Sequence, residues 1–312
     1  MEILLNNKGL CNLTTLNVFA FVQNNILDVE RLLYAQRLSA RASYRMTNVE
    51  LELPKWDAVQ KEERLTGVSL TGWQDMVNAT NMSREQQSQL LSELRKVAHE
   101  EVESLANQIS ANKSLLVTTV KPEGTLSQLP TVSSGVHYSH SPYYIRRVRI
   151  NSHDPLVKVC EDLGYEIKPE VGQEWETCTT KVIEFPVKSP EGKTKYDVSA
   201  IEQLENYKMF MEHYVDHNCS ITVHVRNNEW ELVEEWIWDN WDSVIAVSFL
   251  SLDDSFYKLL PYETITKDEY DLMNDKIKDK TITPDKILKY EKRQVDLDFG
   301  TDGCDAGVCP IR

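Results

Sequence analysis

Between Leu65 and Leu250 the sequence switches repeatedly between two hydrophobic periods, and this alternation constrains the fold more than any other feature. Short β-prone runs at 65–70, 115–120, 143–150, 182–187, 220–225 and 244–250 are separated by stretches whose apolar residues recur every three or four positions. A period of two puts side chains on alternate faces of a strand, whereas a period near 3.6 gathers them on one side of a helix. Helical spacing occupies 29–49, 155–163, 198–215, 228–240 and 284–290, with Pro54 closing the first segment and Gly164 the second. A further helix opens at Ser83-Arg84-Glu85-Gln86, which has the form of a capping box. Its stripe is Leu90, Leu94, Val97, Val102, Leu105 and Ile109. Strands alternating with helices predict an α/β fold with mainly parallel strands.

The 312 residues suffice for one large domain or two of ordinary size. With 49 acidic against 34 basic residues the formal charge is −15, which argues against generic binding to nucleic acid or an anionic membrane. The first ten residues lack the pattern of a signal peptide, and no run has the length of a membrane span. The expected location is therefore cytoplasmic. Six cysteines (Cys11, Cys160, Cys178, Cys219, Cys304, Cys309) are too sparse for a disulfide scaffold and are expected as thiols. Cys304 and Cys309 form a pair in the Gly-rich end of the chain, which fits a transient redox role better than structural zinc.

The stretch VKPEGTLSQL (residues 120–129) delivers a β-prone run into a Pro/Gly turn rich in hydroxyls. Such a turn can present amides and hydroxyls to a phosphate; it can equally be a capped strand-to-helix turn. Neither a Walker pattern nor a GxGxxG fingerprint is present. His137 and His140 have a spacing that could serve a metal, but read more simply as loop or packing residues. His217 and Cys219 could share one face of a strand as a nucleophilic pair; without a supporting acid, a buried cysteine is the simpler reading. Trp230, Trp236, Trp238 and Trp241 read as a helix packing on a sheet, and Cys11, before an apolar run, as a core cysteine.

Taken together, several stretches resemble one family: Glu2-Ile3-Leu4-Leu5 through Cys11-Asn12-Leu13, RLTGVSLTG (64–72), VKPEGTLSQL with SSGVH, YYIRRVRI followed by Asp154-Pro155, and the final Cys304 to Arg312. The family is the adenosylcobalamin-dependent (class II) ribonucleotide reductases, most closely the monomeric ribonucleoside-triphosphate reductase type. The resemblance implies the C-terminal part of a ten-stranded α/β barrel over residues 1–298, with cobalamin-contacting segments, followed by a flexible cysteine tail at 299–312. It implies adenosylcobalamin as cofactor and reduction of ribonucleotides to 2′-deoxyribonucleotides by thiyl-radical chemistry. By the same resemblance Glu2 matches a catalytic carboxylate and Cys11 one of two reducing cysteines. Pro122, Glu123, Gly124, Thr125 and Ser127 match the substrate-phosphate loop. Cys304 and Cys309 match a shuttle pair recharged by thioredoxin.

In that family the radical cysteine precedes the carboxylate by two positions, which falls before Met1. The expectation is a C-terminal portion from a split, interrupted or truncated gene, inactive alone and needing an N-terminal reductase half in trans. Its partners would then be that half, thioredoxin and a ribonucleoside triphosphate. The alternatives are an inactive remnant, a non-catalytic nucleotide- or thioredoxin-binding partner, and an unrelated thiol oxidoreductase. The last is disfavoured because such enzymes hold their dithiol at a helix start on a rigid fold.

Overall fold

The computed structural model describes residues 2–252, 258–279 and 281–291. They divide into two compact units, one built from residues up to His140 and from Ser189 to Leu252, the other from Ser141–Lys188 and the described residues beyond 257.

The first unit is organised by five extended runs that lie side by side in chain order. Asn12–Asn17 pairs in parallel with Thr66–Thr71, in register from Asn12 opposite Thr66 to Asn17 opposite Thr71. Val68 bridges in parallel to Thr118, and Val120 bridges in parallel to Cys219. Thr222–Val225 then pairs in parallel with Ser248–Ser251. The 115–120 segment, expected as a full strand, contributes through these bridges and through the bonds Val68 N–H to Val117 C=O (2.9 Å) and Thr119 N–H to Val68 C=O (3.1 Å).

One face of this sheet is covered by helices. Val29–Met46 packs on the first two strands and on Arg84–Gln108, while Ala200–His213 packs on Thr222–Val225. The Ser83 capping box is complete: the Ser83 hydroxyl accepts from the Gln86 amide (3.3 Å) and the Gln86 side chain accepts from the Ser83 amide (2.9 Å). Leu90, Leu94, Val97 and Val102 are buried as the stripe predicts, Leu105 is partly buried, and Ile109 at the helix end is exposed. Behind the sheet, Val120, Cys219, Val223, Val225, Leu204 and Phe210 belong to one core, with Trp73 edge-on to Phe210 at 5.0 Å. The buried Tyr214 hydroxyl has both roles filled, donating to Val68 C=O (2.9 Å) and accepting from Gln36 (3.0 Å). A buried hydroxyl needs such partners, because an unmet polar group costs about 1–3 kcal/mol.

The second unit departs from the expectation of mainly parallel strands. Tyr143–Asn151 pairs antiparallel with Thr180–Lys188, and Glu166–Pro169 and Tyr262–Thr264 extend this sheet at its two edges. Strand direction depends on which partners meet, and a period of two is the same in both cases. The arginines that lend 146–149 its positive charge are largely neutralised there. Arg147 pairs with Glu184 and Glu263 at 2.6 Å each, and Arg149 with Glu170.

Other details also differ from expectation. Pro54 does not merely follow a helix; it starts the next one, Pro54–Glu63, at a position where its missing N–H costs nothing. The helices Trp73–Thr80 and Lys267–Lys276 were not foreseen. Of the four tryptophans read as packing residues, only Trp236 is buried, and its indole N–H reaches Glu205 (2.6 Å). Trp230, Trp238 and Trp241 are exposed and line a groove of about 450 Å³ together with Phe249. No helix among the described residues is long and apolar enough to cross a membrane.

Candidate functional site

Alternation along the parallel strands separates two chemistries. Leu16, Val68, Leu70, Val120, Val223 and Phe249 face the helices. The opposite face carries Cys11, Leu13, Thr15 and Asn17 from the first strand and its approach, then Gly67, Ser69 and Thr71, then Thr119, then Ser220, Thr222 and His224. Parallel sheets are usually covered by apolar layers on both faces. A hydroxyl-lined face on such a sheet is therefore where a polar ligand can lie.

Cys11 sits at the head of this face. Gly67 makes the space for it: a Cβ there would stand 2.3 Å from Leu13, 3.0 Å from Thr119 and 3.2 Å from the Cys11 sulfur. Burial and, second, the negative charge of Glu2 push the Cys11 thiol up to about 12. It is thus held protonated at neutral pH. Glu2 is fixed over the same face through its backbone, whose carbonyl accepts from the Thr119 hydroxyl (2.6 Å) and the Asn218 amide (3.3 Å).

His217 stands between these groups. Its Nδ1 accepts from the Leu4 amide (3.2 Å), so its proton is on Nε2, which donates to Thr66 C=O (3.0 Å). Burial lowers its affinity for a second proton. The Cys11 sulfur lies 3.9 Å from Nε2. With Nε2 already the donor and Nδ1 already engaged, this imidazole cannot take the thiol proton; it ties the Glu2–Leu4 segment to the sheet. The sequence pairing of His217 with Cys219 does not form a site. Cys219 is fully buried on the helix-covered face, and burial raises its thiol far above the ordinary range.

The 122–127 turn meets the same face and is divided in two. Glu123, with φ of 57°, turns its carboxylate inward, accepting from Thr15 (2.6 Å) and Ser69 (3.0 Å), with Lys121 at 3.8 Å. Its Oε2 is buried without a hydrogen-bond partner. Ser127 is also inside, its hydroxyl 2.8 Å from that of Ser134. Pro122, Gly124 and Thr125 are exposed, and a Cβ at Gly124 would meet nothing within 4 Å. The Thr125 side chain makes no capping bond to the short 3-10 turn that follows. Glu123 and Ser127 anchor the turn, and Gly124 and Thr125 lie on its exposed side. An outward Glu123 would repel any phosphate, and its inward bonds remove that conflict.

His137 donates from Nδ1 to Ser134 C=O (2.8 Å) and accepts from Thr222 N–H at Nε2 (2.9 Å), so it is a structural staple. Among the described residues no group of three or more His, Cys, Asp or Glu could hold a metal ion. Cys304 and Cys309 lie outside the described residues. Sequence reading missed Thr15, Ser69, Gly67 and the placement of His217. The one local signal was a glycine inside a β-prone run, which marks a close approach.

The sequence matches no protein-family model. It is 26% identical to an adenosylcobalamin-dependent ribonucleoside-triphosphate reductase of Lactobacillus gasseri over 343 aligned positions, covering 100% of this chain and 44% of the relative. It is 27% identical to a protein of the same name from Levilactobacillus brevis, with the same coverage, and 26% identical to one from Euglena gracilis, covering 89% and 37%. The chain thus spans less than half the length of these curated relatives. The crystal structure of a B12-dependent (class II) ribonucleotide reductase superposes with a TM-score of 0.78 at 21% identity, covering 93% of this chain and 42% of that one. The five parallel runs and their helices therefore have the fold of part of that reductase. Along its whole length in sequence, and in fold, the chain is similar to part of the adenosylcobalamin-dependent (class II) ribonucleotide reductases.

Proposed function

We propose that this chain supplies the substrate-reducing half-barrel of a ribonucleoside-triphosphate reductase, acting together with the remaining part of the barrel, on whatever chain that part resides. The observation that carries this reading is the convergence of Cys11, Glu2 and the 122–127 turn on one hydroxyl-lined face of a parallel sheet.

In this reading the phosphates of the nucleotide rest on Gly124 and Thr125, with the ribose over Cys11 and Glu2. The Glu2 carboxylate accepts the proton of a ribose hydroxyl. Cys11 and a second thiol from the other half provide two electrons and two protons. The 2′ carbon exchanges its C–O bond for C–H, the oxygen leaves as water, and the two thiols become a disulfide. A raised Cys11 thiol suits this role, since it arrives protonated as a hydrogen donor and does not oxidise adventitiously. Cys304 and Cys309 then reduce that disulfide and are recharged by thioredoxin.

Adenosylcobalamin is named in the relatives, and we assign it to the assembled enzyme as the source of the radical. The described residues do not make a complete corrin seat. The hydroxyl-lined face lacks an apolar floor, and the Trp230–Phe249 groove is lined by Glu231 and Glu234 as well. No step assigned to this chain passes through the cofactor.

The test is reconstitution. The full chain is combined with the N-terminal part of a class II reductase, adenosylcobalamin, a ribonucleoside triphosphate and a dithiol, and deoxyribonucleotide is measured. Turnover that disappears in Cys11→Ser and in Glu2→Gln supports the reading, whereas association without turnover in the wild type overturns it. Changing both Cys304 and Cys309 to Ser should abolish turnover with thioredoxin while sparing turnover with small dithiols.

A further inference from the structure

The helix Trp230–Asp239 is fixed by its inner face and presents its outer face to solvent. Val233 and Trp236 are buried, and the Trp236 indole N–H donates to Glu205 (2.6 Å) on Ala200–His213. On the other side Trp230, Glu234 and Trp238 recur every four residues and so share one face. That stretch of helix spans about 12 Å, which sets the two indoles on either side of one carboxylate. Trp238 is 80% and Trp241 68% exposed, although an indole is among the largest apolar groups a chain can bury. Phe249, from the outermost parallel run, closes the far side, its ring 6.1 Å from that of Trp230. With Glu231 these side chains line the groove of about 450 Å³.

The charge of this groove has no internal counterpart. Residues 227–257 include eight acidic side chains and no lysine, arginine or histidine. Among the described residues neither Glu231 nor Glu234 has an ion-pair partner. The cations that adjoin the helix are engaged elsewhere. Lys208 reaches Asn240 (2.8 Å) and Glu212 (3.9 Å), and Arg226 reaches Val198 C=O (2.9 Å) and Glu229 (3.4 Å).

An occupant has to satisfy both halves of this surface. Aromatic walls are stabilised by apolar cover, and carboxylates beside indole faces are stabilised by a cation. A guanidinium meets both at once, since it stacks on an indole while bonding a carboxylate through two parallel N–H groups. A lone small cation would leave Trp241 and Phe249 in water, so the cation belongs on an apolar segment. A second copy of this chain would bring the same acidic run and a net charge of −15 against its like. We propose that the groove docks an arginine-bearing apolar segment of a separate protein chain, lying along the helix as amphipathic segments lie in apolar grooves. The groove is on the helix-covered side of the sheet, away from the hydroxyl-lined face, and the site is independent of the nucleotide reading above.

The test uses the full chain and the fluorescence anisotropy of a labelled amphipathic peptide of leucine, alanine and arginine, with lysine and glutamate counterparts. Each variant is first checked for an unchanged circular-dichroism melt. The arginine peptide should bind the wild type, the lysine peptide more weakly and the glutamate peptide not at all. Trp238→Ala and Trp241→Ala should each weaken binding about tenfold or more, with Trp238→Phe retaining part of it. Glu234→Gln should weaken it about fivefold. Glu235→Gln, the same charge change on the same helix but outside the groove, should leave it unaltered. Equal weakening in Glu234→Gln and Glu235→Gln would reveal general attraction to an acidic surface and overturn the site. Binding that survives both tryptophan changes, or that tetraethylammonium displaces completely, overturns it too. Self-association of the wild type in sedimentation that disappears in Trp238→Ala would make a second copy the occupant, which also overturns the proposal. So does an absence of arginine-peptide binding by the wild type.

Discussion

Cys11 and Cys219 belong to the same parallel sheet and meet opposite fates. Cys219 faces the helices among Val120, Leu204 and Phe210 and is a small apolar filler. Cys11 faces hydroxyls, a glycine that makes room for it and the charge of Glu2. The difference comes from one residue of parity along a strand, which decides whether a thiol is packed or presented. It also shows what the two faces are for. The apolar face holds the unit together, and the hydroxyl-lined face is where the proposed function places its ligand.

The comparison breaks most visibly if the helix-covered face is not the source of stability. Leu204→Ala should cost about 2–5 kcal/mol, read by urea unfolding, while Thr222→Ala on the polar face should stay within roughly 1 kcal/mol of wild type. Equal costs would deny the division of labour.

Asp216 is the next largest effect, because it ties the sheet to the long helix. It accepts from Arg95 (2.5 Å), His99 (2.8 Å) and the amides of Val117 (2.9 Å) and Thr118 (3.1 Å). Burial alone would raise its pKa; the His99 hydrogen bond, the His99 and Arg95 charges and the Val117 amide outweigh it, and the carboxyl is held well below its ordinary 3.8. Its folded value is below its unfolded value, so its contribution is present above about pH 4 and lost as pH falls further. Asp216→Asn should cost about 2 kcal/mol at pH 7 and flatten the acid limb of the stability profile. An acid limb identical to wild type would show that other carboxylates set it.

Gly67→Ala sharpens the contrast at Cys11 itself. The added methyl meets Leu13, Thr119 and the Cys11 sulfur, so a loss of about 1–3 kcal/mol is expected, against near neutrality for Gly124→Ala, where the space is open. The smallest effect is kinetic. With its thiol at about 12, only roughly one Cys11 in ten thousand is thiolate at pH 8, so alkylation resolved by peptide mass spectrometry should be slow. Glu2→Gln removes one of the two causes and should speed Cys11 several-fold without altering Cys219. An unchanged Cys11 rate would remove Glu2 from its surroundings.

Much of this was legible beforehand because it depends on nearest neighbours in sequence. The Ser83 capping box, the stripe from Leu90 to Val102 and the Asp154-Pro155 to Gly164 helix are local patterns, and each formed as read. The antiparallel pairing of Tyr143–Asn151 was not legible, since alternation is blind to strand direction. Nor was the exposure of Trp230, Trp238 and Trp241, because an aromatic stripe looks the same whether or not a neighbour covers it. The VKPEGTLSQL turn stood out by composition, but its split into inward Glu123 and outward Thr125 depends on Thr15 and Ser69, residues 108 and 54 positions away.

The sequence by itself determined most of the element types, the acidic character and the kinship, because these follow from periodicity, charge count and ordered motifs. Tertiary structure alone decided which residues meet. It brought Cys11 beside His217 rather than Cys219 and closed Glu123 onto the sheet. The physical reason is that hydrogen bonds and charges act over a few ångströms of space, and separation along the chain does not encode that distance.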